Sequence, residues 1–462
     1  MTFIPVVAGL AAVLAAGAKG LYVSPDAVFY LGTARNWLDG RGFTPPPGVP
    51  PVEHFPPGFT VVLAALGKLG LDPLDGARVV NALAFAGIVA LVGSVVRART
   101  GSRPAALVAS VLTAAAVDLL TLSSSALSEP LFILLGIGGL VALAAYLDRP
   151  RPVLLAGASV LVGAAFLTRY VGIALVVAGV AGLLWRRRWT AAGAFGAVTV
   201  APVAVFLLLA DAGAGDRRVA LHMFGADYLG QAARPFARWL VPWPEPPIGL
   251  LLALLLVAGG VVVARRTEGA LPWLLVAFTV AYLAVLLANR TFTDATGRLD
   301  ARFLAPLHVA AILLAVPALH RVKMPALAVV GVLVAAQVAD AAAWTAGGLT
   351  DDSVRRRGYT AEALQDSSLL AFDGEPLYTN APDAVFFVAG RAARPIPVER
   401  DYLTGTANPH YPDEVAAMTG HLLYLDAVTF KQSFQPTIAE LEAALRLEVV
   451  ARDAVGTLYR IL

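Results

Sequence analysis

Five short motifs hold the ionisable side chains best suited to chemistry. Ser24-Pro25-Asp26 begins the stretch SPDAVFYLGTARNWLDGRGF, and Glu53-His54 leads into FPPGF. Further along come Ser128-Glu129-Pro130, Thr168-Arg169-Tyr170 and Arg302 at the head of RFLAPL. Asp26 could act as a general base, a carboxylate that takes a proton from an attacking hydroxyl. It could also simply start a helix, since Ser24 suits the N-cap, Pro25 the first helical position and an acid the first turn. The two roles are compatible, because a capped helix start holds a carboxylate rigidly. Glu129 allows the same pair of readings, and an acid beside apolar sequence is costly enough to count toward function. Arg169 and Arg302 are either interfacial cations with their stems in lipid or bidentate ligands for a phosphate. His54 could touch a phosphate or be solvated; Asp118 and Asp340, at or within apolar runs, could line a cavity or reach headgroups.

Other chemistries find no support in the sequence. There is no cysteine, which removes disulfides, thiolate nucleophiles and thiolate metal ligands. The six histidines are scattered singly, and no metal-ligand spacing, phosphate-binding glycine loop, dinucleotide fingerprint or serine nucleophile elbow stands in a credible context.

The elements that must position these residues are dictated by composition. Of the 462 residues 58% are hydrophobic and only 15% charged, against about 25% charged in soluble proteins, so a water-soluble enzyme is excluded. Residues 1–349 carry 25 Lys/Arg and 16 Asp/Glu, whereas 350–462 carry 10 and 16, so a basic membrane body precedes an acidic, polar tail. Apolar runs long enough to cross a bilayer are expected at about 4–22, 76–96, 104–121, 128–147, 152–167, 171–185, 190–210, 247–264, 270–288, 303–319 and 325–345, eleven in all. Twelve Lys/Arg fall in five short turns, at Arg97/Arg99/Arg103, Arg149/Arg151, Arg186/Arg187/Arg188, Arg265/Arg266 and Arg321/Lys323, which marks those turns as cytoplasmic. The N-terminus is then cytoplasmic, its first helix an uncleaved span rather than a signal peptide. The large loop at about 23–75, Glu129, Arg169 and Arg302 lie on the outer side of the cell membrane. Residues 57–71 are too short to span and are expected to lie on the outer surface. After eleven crossings the tail is extracytoplasmic. It reads as a small α/β domain, with strands at 375–379, 396–399, 421–426 and 447–451 and helices at 352–367, 412–418 and 437–445.

In this setting the motifs resemble those of the GT-C glycosyltransferases, polytopic enzymes that use lipid-phosphate sugars, in the branch of the protein O-mannosyltransferases and aminoarabinose transferases. Asp26, Tyr30, Ala34, Asn36, Gly40, Gly42 and Phe43 fit the Asp-x-x-x-Tyr, Ala-x-Asn and Gly-x-Gly-Phe pattern of the first outer loop, and FPPGF is similar to the segment entering the surface helix. SEPLF, TRYVG and RFLAPL follow in the family's order, so the resemblance covers roughly 1–306. It implies a GT-C fold, Asp26 as catalytic base, Glu129 as a second acid, and Arg302 and Arg169 as donor-phosphate ligands. Where some relatives place a lysine on the phosphate, His54, beside Glu53, or Lys68 would have to serve. A polyprenyl-phosphate sugar is the implied donor, and a glycan, lipid or protein the acceptor. The resemblance allows a divalent metal, but the sparse acids favour an enzyme that requires no cofactor. The competing expectation is a transporter or flippase for a lipid-linked or polar solute. It is disfavoured by the absence of repeated halves and by charges gathered at one surface rather than at the bilayer midplane.

Overall fold

The computed structural model describes residues 3–210, 226–240, 249–266, 268–292, 298–320, 325–401, 405–429 and 435–462. Among the described residues six helices are long and apolar enough to cross a bilayer: Pro73–Thr100, Glu129–Asp148, Trp189–Leu209, Leu271–Phe292, Ala301–Leu319 and the Gly331–Thr350 part of Pro325–Thr350. All six coincide with expected spans. The expected span at 104–121 is instead a pair of helices, Arg103–Ala114 and Val117–Ser123, bent by 56°. The break falls before Asp118, which sits in the first turn of the second helix, where an acid favours a new N-terminus. Phe3–Ala16, Pro152–Thr168 and Ile173–Trp185 are apolar but shorter. The expected 4–22 helix stops at Ala16 because the Gly17-Ala18-Lys19-Gly20 turn ends it, with Gly20 at φ 133°. Gly249–Arg266 occupies the expected 247–264 span, while Arg321 and Lys323 lie outside the described residues.

Contacts sort the connections into two faces. On one, Arg99 donates to the Glu268 carbonyl at 3.2 Å and Asp148 accepts the Ala270 amide at 2.9 Å, joining three of the basic turns. On the other, Tyr22 bridges to Ser125 and Val23 to Gly358, so the first loop, the turn before Glu129 and the start of the tail meet. This second face, the loop face, carries two further helices. Pro25–Leu38 buries Ala27 through Ala34, and Gly58–Gly67, a helix within the stretch 57–71, packs against it.

The tail contains a five-stranded sheet, β1 (Leu377–Thr379), β2 (Arg394–Pro395), β3 (Gly420–Tyr424), β4 (Leu447–Arg452) and β5 (Thr457–Ile461), in the order β2-β1-β3-β5-β4. The first three strands are parallel and the last two antiparallel. Two of its elements, β5 and the helix Pro382–Ala389, were not expected, and the strand expected at 396–399 lies two residues earlier. The helix expected over 352–367 is two single turns, Val354–Arg357 and Glu362–Gln365. Gly358 separates them at φ 61°, pressed so close to Val23 that a Cβ would stand 2.0 Å from its carbonyl oxygen. Tail residues Val354, Tyr359 and Leu364 belong to the same apolar core as Leu21, Phe29 and Tyr30.

Candidate active site at the loop face

Ser24 caps the Pro25–Leu38 helix, its hydroxyl accepting the Ala27 amide at 3.4 Å, and Asp26 stands in the first turn. The helix start is held on both sides. Tyr22 donates its amide to the Ser124 carbonyl at 3.1 Å and accepts the Ala126 amide at 3.0 Å, while Val23 donates to the Arg357 carbonyl at 3.1 Å and accepts the Tyr359 amide at 3.0 Å. The turn leading to Glu129 is fixed by Asn81, buried in the Pro73–Thr100 helix, whose amide donates to the carbonyls of Ser125 at 2.7 Å and Leu127 at 2.9 Å. Nothing in the first-loop motifs points to Asn81; the available signal is an amide side chain inside an apolar span.

Arg169 comes from the break between Pro152–Thr168 and Ile173–Trp185. Gly58 of FPPGF lies so close to this break that a Cβ there would be 2.6 Å from the Leu167 carbonyl oxygen. Tyr170 donates its hydroxyl to the Glu53 carbonyl at 2.8 Å, and Phe55 packs on Phe29 and Tyr30 at 4.9 and 5.1 Å, tying EHFPPGF to the Asp26 helix. Arg302 stands in the first turn of Ala301–Leu319, capped by the Asp300 carboxylate, which accepts the Arg302 amide at 3.0 Å.

These elements bring four candidate residues together. Arg302 reaches the Asp26 carboxylate at 2.7 Å and pairs through Nε with Glu129 Oε1. Arg169 pairs with the same Glu129 oxygen at 2.5 Å. Both guanidiniums flank the Phe303 ring, each carbon 5.6 Å from its centroid, so one aromatic surface sets their spacing. Ser128 stands 3.4 Å from both the Arg169 guanidinium and the Tyr30 hydroxyl, a bridging role not read from its place at a helix start. Glu129 is buried, with its side chain 2% exposed, whereas Asp26 is 31% exposed. The second Glu129 oxygen, Oε2, has no hydrogen-bond partner among the described residues. Burial pushes the Asp26 carboxyl up, but Arg302, helped by His54 and Arg169, outweighs this and holds it below the usual carboxylate range. Burial also raises the Tyr30 phenol, which therefore stays protonated.

The remaining candidates divide. His54 faces Phe55 with ring centroids 4.6 Å apart and lies near enough to lower Asp26, while Glu53 is held beside it through its carbonyl. Lys68 lies elsewhere, its ammonium 5.8 Å over the Trp37 ring at the far end of the Pro25–Leu38 helix, about 16 Å along the axis from Asp26 at 1.5 Å per residue. Asp118 and Asp340 are not in the cluster; Asp340 pairs with Arg238 at 3.5 Å. Among the described residues no three His, Asp or Glu converge as metal ligands, and the acids of the cluster are each committed to an arginine.

The arrangement offers a carboxylate open to solvent, two cations beside it and a buried acid that orients them. The sequence profile described as dolichyl-phosphate-mannose-protein mannosyltransferase matches residues 54–210, which include His54, Glu129 and Arg169 but not Asp26 or Arg302. No curated protein matches the sequence. The fold is similar to crystal structures of ArnT from Cupriavidus metallidurans, one bound to undecaprenyl phosphate and one in the apo state. Each has a TM-score of 0.60 at 14% identity, covering 99% of this chain and 97% of that one. Residues 54–210 thus match the mannosyltransferase family profile, and the chain shares the GT-C-type fold of ArnT from end to end.

Proposed function

We propose that the chain moves a sugar from a polyprenyl-phosphate donor to an acceptor hydroxyl on a cell-envelope glycan, lipid or protein, at the extracytoplasmic face of the cell membrane. Residues 1–349 form the catalytic membrane body and 350–462 an extracytoplasmic domain. The observation that carries this reading is the meeting of Asp26, Glu129, Arg169 and Arg302 in one cluster from four separate elements. Undecaprenyl phosphate, the ligand of the ArnT structure, is a guide to the donor's lipid.

In this mechanism the donor phosphate competes for the two guanidiniums and draws Arg302 off Asp26, which frees the carboxylate. The acceptor oxygen then attacks the anomeric carbon, its proton passes to Asp26, and the bond from that carbon to the phosphate oxygen breaks. The polyprenyl phosphate leaves with the bonding electrons, its charge held by Arg169 and Arg302. Glu129, too buried to meet an acceptor, keeps the two cations side by side. His54, with Glu53 beside it, and Tyr30 border the donor. One displacement inverts the anomeric configuration; a retaining route would want a second carboxylate about 5 Å away acting as nucleophile, and Glu129 is occupied by arginine. No cofactor is required.

The test is transfer of radiolabelled sugar from polyprenyl-phosphate donors by the purified protein, with Asp26→Asn alongside and the anomer of the product determined. Wild-type transfer by Asp26→Asn would remove the base assignment. No transfer with any such donor, together with solute uptake into liposomes, would replace the reading with a transporter.

A further inference from the structure

The helix that carries Asp26 is not held by the membrane body alone. Its entry, Leu21 to Val23, is gripped by four consecutive residues of the tail. Arg357 is 2% exposed and donates to the carbonyls of Ala16 at 2.5 Å, Gly20 at 2.9 Å and Gly348. Its own carbonyl accepts the Val23 amide at 3.1 Å, Tyr359 returns an amide to the Val23 carbonyl at 3.0 Å, and the Thr360 hydroxyl donates to the Leu21 carbonyl at 2.7 Å. Gly358 makes the approach possible, because its φ of 61° and missing side chain let the tail backbone lie against Val23. Tyr359 is anchored in turn by the buried Asp383 carboxylate at 2.8 Å, and Pro382, the first residue of that helix, presses on Gly48 of the first loop.

Arg302 pairs with Asp26, but the guanidiniums of Arg169 and Arg302 both come from other elements and share Glu129. They come from the 168–170 break and the start of Ala301–Leu319, and their partners lie within the membrane body. We infer that Arg357 to Thr360 are positioning residues for Asp26, so that the tail sets the placement of the base while the membrane body sets the placement of the phosphate ligands. The inference rests on the reading of Asp26 as base. It assigns the tail a part in the chemical step through the backbone of Val23, three residues before the carboxylate.

The full-length protein in nanodiscs tests this with Gly358→Ala and the milder Thr360→Val. The measurements are sugar transfer, binding of undecaprenyl phosphate, and hydrogen exchange of the amides of residues 21–28. Displacing Asp26 by a fraction of an ångström to one ångström is expected to lower kcat by about 10- to 100-fold in Gly358→Ala and less in Thr360→Val. Donor KM and undecaprenyl phosphate affinity should stay within about threefold, and exchange at 21–28 should rise, the pattern of a loss confined to the chemical step. Two results would overturn the inference: faster exchange at 21–28 with unchanged kcat, or a parallel loss of undecaprenyl phosphate binding, which would mark a general structural role. If Gly358→Ala does not fold, Thr360→Val decides by the same criteria. Retained transfer in Asp26→Asn is a separate failure, of the base assignment rather than of the grip on Val23.

Discussion

Two guanidinium sites, one half-buried and one buried, flank the short segment that leads to Asp26, and they are wired differently. Arg302 and Arg169 pair with carboxylates, whereas Arg357 spends most of its donors on the main-chain carbonyls of Ala16, Gly20 and Gly348. A carboxylate partner can be exchanged for another anion. A carbonyl at the end of a helix or in a turn cannot, because no arriving anion would replace the donor it lost. The first site is therefore built to change partners and the second to keep them.

That contrast can be broken at either end. Asp26→Asn should lower transfer by about 10³-fold, the scale of a lost general base, and yet bind undecaprenyl phosphate more tightly, because the anion competing for Arg302 is gone. Weaker binding, measured by titration in nanodiscs, would show that the carboxylate does not compete. Arg302→Gln should cost about 10²-fold or more in transfer, as for other lost electrostatic donors. It should also move the acid limb of the rate profile to higher pH. Burial raises the Asp26 carboxyl and Arg302 lowers it, so without the cation the group protonates at a higher pH. An unmoved limb in a pH–rate series would separate Arg302 from the base.

Arg357→Ala should act on the fold. Leaving three carbonyls without a charged donor is worth about 3 kcal/mol or more, seen as a lower melting temperature in detergent. A normal melting temperature would remove the distinction between the two sites. Gly58→Ala is expected to be milder, a rise in donor KM of about tenfold, because the new Cβ pushes on the Leu167 carbonyl and so on Arg169 rather than on the base. The smallest effect expected is that of EDTA, a change in rate within about twofold.

The parts of the site legible in the sequence were those with a local signature. Ser24-Pro25-Asp26 announces a helix start, and apolar runs with basic turns between them place Glu129, Arg169 and Arg302 at one surface. Periodicity cannot tell that His54 rather than Lys68 lies beside the cluster, since that depends on how the Gly58–Gly67 helix lies along its neighbour. Nor can a hydropathy window register the bend at Asp118, which costs no apolar residue. Gly358 shows a different limit. It stands in a stretch of good helix formers, and only the contact with Val23, more than three hundred residues away in sequence, reveals that a left-handed turn is needed there.

The two cations and two anions at the loop face cancel. At the membrane surface, where the proposed function puts this cluster, every ordinary phospholipid offers a phosphate, in vast excess over any sugar carrier. A pair of uncommitted arginines would be saturated by that background. Arginines already satisfied by Asp26 and Glu129 gain little from a bare headgroup, and under the proposed function they would yield only to a ligand that brings a sugar and a prenyl chain to bind elsewhere as well. Under that function the internal ion pairs would act as a threshold against the membrane's own lipids.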